Sequence, residues 1–388
     1  MAKSEQGDRT DRPSAATERS AGTSTNDLAA GPVGVMLGGG AIRHVDSGAT
    51  SFHLALLDLD ALGHAPIDEH EDRSRVIAIE FMAHGITQSP HDPRRFVMFE
   101  KHGPGCCVVD LDLRNGTGEV VQTIPPGEGR QFYGHGVFTA DGALLLCTET
   151  VVGDRNRGVI AVRDAHDFSL RGEFPSYGRA PHDCMLVDDG ATLLVSNGGS
   201  PPGEPDPPNV AWVDVATQQL RERVVIPDDA VNAGHLAYTK AGELAVVSAP
   251  RDGLPPETSR GGIALRRRGG ALISIREPRA LVDGLLGETL SVAIHEPTGI
   301  VGATTPLANV VSFWRLGDGT LVHKLRVPVP RGISLSVSGD EFIVNFGTPP
   351  RAARVDARTL AAVPVEGNRR GYLSRATGSH VVLLPSPA

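Results

Sequence analysis

Two patterns of apolar and polar positions recur along the chain. The first is an apolar run that alternates with period two and ends in an acidic or polar residue and a turn. It occurs as HLALLDLD from His53, CVVDLDLRNG from Cys107, VIAVRDAHD from Val159, VAWVDVATQ from Val210, ALISIREP from Ala271, VSFWRLGDG from Val311 and ARVDARTL from Ala353. Period-two alternation predicts half-buried strands. The second pattern is a small or polar residue, an apolar run, a turn near glycine or aspartate, and another apolar run. It occurs from Ala83, Gly134, Pro181 and Gly234, and in weaker form from Leu290, Gly332 and Gly371.

Each pattern has seven copies. With His84, His135, His182, His235, Ser291, Gly332 and Gly371 as anchors, the spacings are 51, 47, 53, 56, 41 and 39 residues. Repeats of about 40–50 residues with four strands each are the signature of propellers. The expected fold is therefore all-β: a seven-bladed β-propeller of four-stranded antiparallel blades around a central channel, spanning 32–388 as one domain. Circular closure removes the exposed edges that a solenoid would leave. The order of the patterns at the two ends predicts that the termini share a blade. No WD dipeptide or Kelch double glycine recurs.

Composition supports this reading. Of 388 residues, 46 are glycine and 29 proline, which favours short strands and tight turns over long helices. Aromatic residues are only 4% and the formal net charge is −9, so neither a stacking platform nor a basic footprint for nucleic acid is present. The triplet Arg266, Arg267 and Arg268 reads as a solvated turn. Cys106, Cys107, Cys147 and Cys184 form no C-x-x-C pair, so a zinc ribbon or redox motif is excluded. They read as reduced and packed. Residues 1–31 are polar and Ser/Thr-rich, which predicts a disordered tail. They show neither an apolar signal segment nor a twin arginine before the first apolar stretch. No 18-residue apolar run predicts a membrane span. The expected address is cytoplasmic.

The chemistry lies in where histidines fall. Of fourteen, His84, His135, His182 and His235 occupy one slot in four consecutive repeats, at the start of the innermost strand. Innermost strands line the channel, so the four rings would converge at one mouth. Neutral imidazole is the commonest protein metal ligand and suits iron, copper, zinc and nickel. The remaining slots, Ser291, Gly332 and Gly371, carry no strong ligand and leave one side open. The returning strands end in Glu100, Glu149, Asn197, Ser248, Thr304 and Asn345. Of these, Glu100, Glu149 and Asn197 are candidate outer partners for the imidazole N–H groups. Arg130, Tyr133, Tyr177, Arg179, Arg155 and Arg157 crowd the same loops and are candidate contacts for a small, anionic ligand. The remaining histidines, His380 among them, receive no role. A histidine at a loop-to-strand entry can also bond a neighbouring carbonyl and be purely structural; that alternative stands beside the metal reading.

The stretches GRQFYGHGVFTADG, RGVIAVRDA, GEFPSYGRAPHDCMLVDDGATLLVSNGG and AGHLAY resemble a bacterial family of unknown function. Its members are often exported by the twin-arginine route and encoded beside imelysin-type iron-uptake proteins. The resemblance covers roughly residues 50–350 and includes histidines matching His84, His135, His182 and His235, with a proline–histidine–acid motif at Pro181, His182 and Asp183. It implies a role connected with iron or another metal. The missing export signal departs from the family pattern. A looser, architectural similarity is to carotenoid cleavage oxygenases, propellers whose four axial histidines hold ferrous iron. Three function classes follow: a metal-dependent oxidoreductase of oxygenase type with iron(II) favoured over copper or zinc, a non-catalytic metal-binding accessory protein, and a protein-interaction scaffold with structural histidines.

Overall fold

The computed structural model describes residues 31–62, 70–364 and 371–387. The tail expected over 1–31 lies outside them except for Gly31. The described strands pair into seven four-stranded antiparallel sets, which we call blades 1 to 7. The second and third share one eight-stranded sheet through a short pairing of Lys101 with Tyr133.

From blade 2 to blade 7 the innermost strands are Ala83–Gln88, Arg130–Phe138, Pro181–Val187, Leu236–Tyr238, Ser291–His295 and Pro330–Leu335. Blade 1 takes its innermost strand from the far end of the chain. Val381–Leu384 pairs antiparallel with Val35–Arg43, which then leads into Thr50–Asp58 and Arg75–Ile79. The termini therefore share a blade, as the order of the sequence patterns predicts. Innermost strands neighbour one another from blade 2 round to blade 7, and blade 7 lies beside Val381–Leu384.

The core follows from this ring. Seven separate apolar clusters form, one at each junction of neighbouring blades. Along one strand, Phe96 and Met98 enter the cluster with blade 1, while Val97 and Phe99 enter the cluster with blade 3. Successive side chains on a strand point to opposite faces, and here both faces are covered. The run Leu145–Thr150 is accordingly buried at every position. This corrects the half-buried expectation: in the central strands the period of two sorts side chains between two neighbouring blades rather than between core and water.

Two repeat copies were placed on the wrong strand by sequence. The third strand of blade 5 is Gly262–Arg266, and the run from Ala271 falls on the outermost strand, Leu272–Ser274. The anchor at Gly371 precedes the two-residue outer strand Tyr372–Leu373 of blade 7 instead of opening an innermost one. The acidic ends of the first pattern hold turns. Asp112, Asp214 and Asp356 accept backbone N–H bonds from residues two or three ahead, as Asx turns do. All four cysteines are free and buried. Among the described residues no helix is long and apolar enough to cross a membrane.

Candidate metal centre

Strand register fixes the entry position of each innermost strand. The residue before each of Ile86, Gly136, Cys184, Leu236, Val292, Ile333 and Val381 is structurally equivalent, because these seven pair with matching positions on the second strands. The entry residues are thus Gly85, His135, Asp183, His235, Ser291, Gly332 and His380. A repeated hydrogen bond supports the alignment: the N–H of His135, Asp183 and Ser291 donates to Thr148, Ser196 and Thr304 hydroxyls. Blades 2, 3, 4 and 7 carry register shifts here, and bulges re-aim side chains.

Three corrections to the single-slot expectation follow. In blades 2 and 4 the entry residues are Gly85 and Asp183, and His84 and His182 lie one position ahead of them. In blade 1 the entry residue is His380, a histidine without an expected role. The signal was available: His380 lies 48 residues after Gly332, immediately before the run VVLLP.

The five rings meet at the axis. One ring nitrogen from each of His84, His135, His235 and His380 lies within 4.8 Å of the other three. His235 is the hub. Its Nε2 is 2.7 Å from Nε2 of His182, 2.7 Å from Nε2 of His380 and 3.3 Å from Nε2 of His84. His84 and His182 approach at 3.4 Å. Two nitrogens bound to one ion at about 2.1 Å cannot be more than about 4.2 Å apart. The individual separations among His84, His182, His235 and His380 fall inside that limit, while the 4.8 Å spread of the set with His135 exceeds it, so an ion held by that set would draw the rings closer together.

The outer nitrogens are tied down. His235 Nδ1 donates to the Leu290 carbonyl at 2.5 Å. A carbonyl only accepts, so the neutral ring carries its proton on Nδ1 and directs the Nε2 lone pair at the axis. His135 Nδ1 faces the Asp183 carboxylate at 3.4 Å, and its Nε2 is buried with no hydrogen-bond partner. His84 Nδ1 pairs with the Ser379 hydroxyl at 3.0 Å. Asp183 also accepts the Leu236 N–H, so its carboxylate joins blades 4 and 5.

Burial keeps the rings neutral. It is the leading cause holding His84, His182 and His235 well below the usual imidazole range, with the neighbouring rings adding to it. Burial likewise takes His135 and His380 down to about 3, and raises Asp183 to about 6. Neutral imidazoles keep the lone pair that a metal needs. Below the rings an axial cavity of about 280 Å³ is lined by His135, His235, His380, Asp183, Ser291, Thr87 and Ser334, among others.

The expected outer partners lie elsewhere. Glu149 is fully buried, but its carboxylate binds Arg163, Arg130 and the Gly127 N–H. Glu100 accepts the Gly105 N–H and shapes a loop. Asn197 bonds Ser176 and Asn209. The outer contacts to the rings come instead from Asp183, Ser379 and a main-chain carbonyl. Most of the expected ligand contacts are also committed. Arg130 pairs with Glu149 and Glu173, Arg155 with Glu204, Arg157 with Asp154, and Arg179 with Asp206 and Asp154. Tyr177 donates to the Gln218 carbonyl. Of the six, only Tyr133 stands at the cluster, with its ring 6.4 Å from that of His182 and 4.2 Å from that of His102.

Comparison with known proteins adds a family and a fold. Residues 77–368 match a family described as a protein of unknown function, DUF1513. No curated protein matches the chain. Among solved structures, a Kuenenia stuttgartiensis hydrazine synthase superposes with a TM-score of 0.60 at 13% identity, covering 86% of this chain and 99% of that one. A Lactobacillus plantarum protein gives 0.60 at 12% identity, covering 90% and 99%. A candidate 6-phosphogluconolactonase from Bacteroides uniformis gives 0.59 at 11% identity, again covering 90% and 99%. At these identities the likeness concerns the fold alone.

Proposed function

The chain belongs to the DUF1513 family of unknown function, and we propose that it holds one first-row transition ion at the propeller axis and uses it for redox chemistry. His84, His135, His235 and His380 are the ligands, with His182 beside them. One observation carries the reading: inward ring nitrogens converge within 4.8 Å while the outer nitrogens of His84, His135 and His235 are held by other groups. A purely structural histidine looks different. His53 is equally buried, yet its Nε2 meets only the Arg375 carbonyl and its ring joins no cluster.

Neutral ligands leave a divalent ion its full charge, which suits oxygen-derived or anionic ligands at open positions. Nitrogen donors by themselves rank copper above iron. Iron(II) is proposed because the sequence resembles proteins encoded beside iron-uptake components, and because four axial histidines parallel those of the propeller oxygenases.

Purification without an affinity tag, elemental analysis and anaerobic reconstitution test the reading. We expect one ion per chain, lost in the alanine variants of His84, His135, His235 and His380. Failure to take up iron, copper, zinc or cobalt ends the metal reading. Uptake of iron without oxygen consumption or a reversible redox couple leaves the site but removes the redox role.

A further inference from the structure

We propose that the mouth above the histidines is an oxyanion site, in which Arg331 and Lys101 bind a small carboxylate or phosphate that also reaches the open side of the metal. The proposal rests on the metal reading above. It differs from the loop-arginine expectation, since those arginines are already paired.

Register supplies the first argument. The residues one position ahead of the entry positions include His182, Arg331 and Ser379. From this position His182 reaches His84 and His235, and Ser379 reaches His84. Arg331 holds the same place in blade 7, three blades on from His182, so its side chain starts toward the same mouth.

Its surroundings supply the second. The Arg331 Nε is buried without a hydrogen-bond partner. Burial lowers the guanidinium's hold on its proton, and the opposing charge is Glu288. Glu288 is shared: Lys101 of blade 2 lies 4.0 Å from it, reaching toward the residues that precede blade 6. The contact runs from blade 2 to the chain just ahead of blade 6, so the Lys101 stem crosses the side of the mouth between them. Lys101 thus has one long carboxylate contact, and the Arg331 Nε has no partner. Asp183 is engaged by His135 and Leu236, and Asp252 acts on His102 and Tyr133.

The chemistry supplies the third. A guanidinium with an unfilled fork takes carboxylate or phosphate through two parallel N–H bonds, and a lysine adds a point charge. An oxyanion set between the terminal nitrogens of Arg331 and a divalent ion would fill the guanidinium's outer edge and the open coordination position together.

The test uses the cobalt(II)-loaded full chain, whose visible bands report the coordination shell. Acetate, oxalate and phosphate are titrated separately. A saturable spectral change is expected with at least one, and the arm that responds identifies carboxylate or phosphate. Arg331→Gln should weaken that anion roughly tenfold or more, and Lys101→Gln less, since hydrogen bonds to charged groups are the stronger ones. Arg331→Lys should fall between wild type and Arg331→Gln. Cobalt affinity and melting temperature should stay at wild-type values in all three variants, which establishes that they fold. An unchanged anion affinity in Arg331→Gln overturns the proposal, as does the lack of a saturable change with all three probes in wild type. Absence of cobalt bands altogether is a separate result: it removes the metal reading and this one with it.

Discussion

The ring of entry positions divides into two arcs with the same backbone and different chemistry. Blades 1 to 5 present His380, the pair His84–Gly85, His135, the pair His182–Asp183, and His235. Blades 6 and 7 present Ser291 and Gly332. On the second arc the entry residues are used up in closing the ring. Ser291 Oγ accepts the Ile333 N–H of the next blade at 3.2 Å. At Gly332 an added Cβ would stand 3.1 Å from the Val381 nitrogen, so blade 1 packs directly against it. On the first arc the ring comes from the entry position in blades 1, 3 and 5, and from the residue just ahead of it in blades 2 and 4. The contrast shows that the fold alone does not demand histidine at this position. Four blades close without one, with Gly85, Asp183, Ser291 and Gly332 there, so five nitrogen-bearing rings need a reason beyond packing.

The sharpest way to break the contrast is to remove the hub. His235→Ala should lower metal affinity at least about a hundredfold, beyond the losses typical of outer partners. Ser291→Ala, one blade on, should leave affinity unchanged. Titration of apo-protein with cobalt(II) or iron(II), followed by elemental analysis, reads both. Bound metal should also raise the melting temperature of wild type and of Ser291→Ala but not of His235→Ala, because a ligand stabilises only the state that binds it. Equal metal binding in the two variants would erase the distinction between the arcs.

The ring was legible in the sequence because turns and apolar runs repeat whatever their side chains do. The site was legible only where the repeat is regular. His135 and His235 stand out by spacing and hold the entry position. His84 and His182 share that spacing only inexactly, since the irregularities after Ala83 and Pro181 set them one place ahead of it. His380 was missed because the outer strand of blade 7 has only two residues, so Tyr372–Leu373 and Val381–Leu384 look like one hairpin. In fact they belong to different blades. Glu100 and Glu149 misled because charge at a strand end does not show which way the side chain turns. Glu149 turns away from the rings into the cation pair Arg163 and Arg130.

The two carboxylates sharpen the comparison further. Asp183 accepts the Leu236 N–H on one oxygen, and its other oxygen lies 3.4 Å from the His135 ring. Asparagine offers one acceptor and one donor, so Asp183→Asn must break one of these contacts. We expect a 10–100-fold loss of metal affinity, the range for outer partners. Glu149→Gln should leave metal affinity unchanged and lower stability by about 3–5 kcal/mol, the cost of breaking a buried ion pair. Urea unfolding and metal titration on both variants separate the roles. If Glu149→Gln instead lost metal with its stability intact, the assignment of outer partners would be reversed.

The smallest expected effect tests the finest feature of the histidine arc. Ser379 touches the centre only through His84, by the 3.0 Å contact between its hydroxyl and Nδ1. It lies one residue before His380, so both members of this pair enter from the strand that the far end of the chain contributes to blade 1. Ser379→Ala removes one hydrogen bond of about 0.5–1.5 kcal/mol, a few-fold to tenfold change in affinity if the bond orients His84 for the ion. No ring is lost and no cavity larger than a hydroxyl is left, so the melting temperature of the apo-protein should barely move. Ser379→Thr, which keeps the hydroxyl, should restore the affinity. A loss in the alanine variant that threonine repairs marks an orienting contact. Equal affinities for wild type and both variants would mean that packing against its neighbours orients His84 without help, leaving His235 as the ring whose direction is set by a hydrogen bond to the main chain.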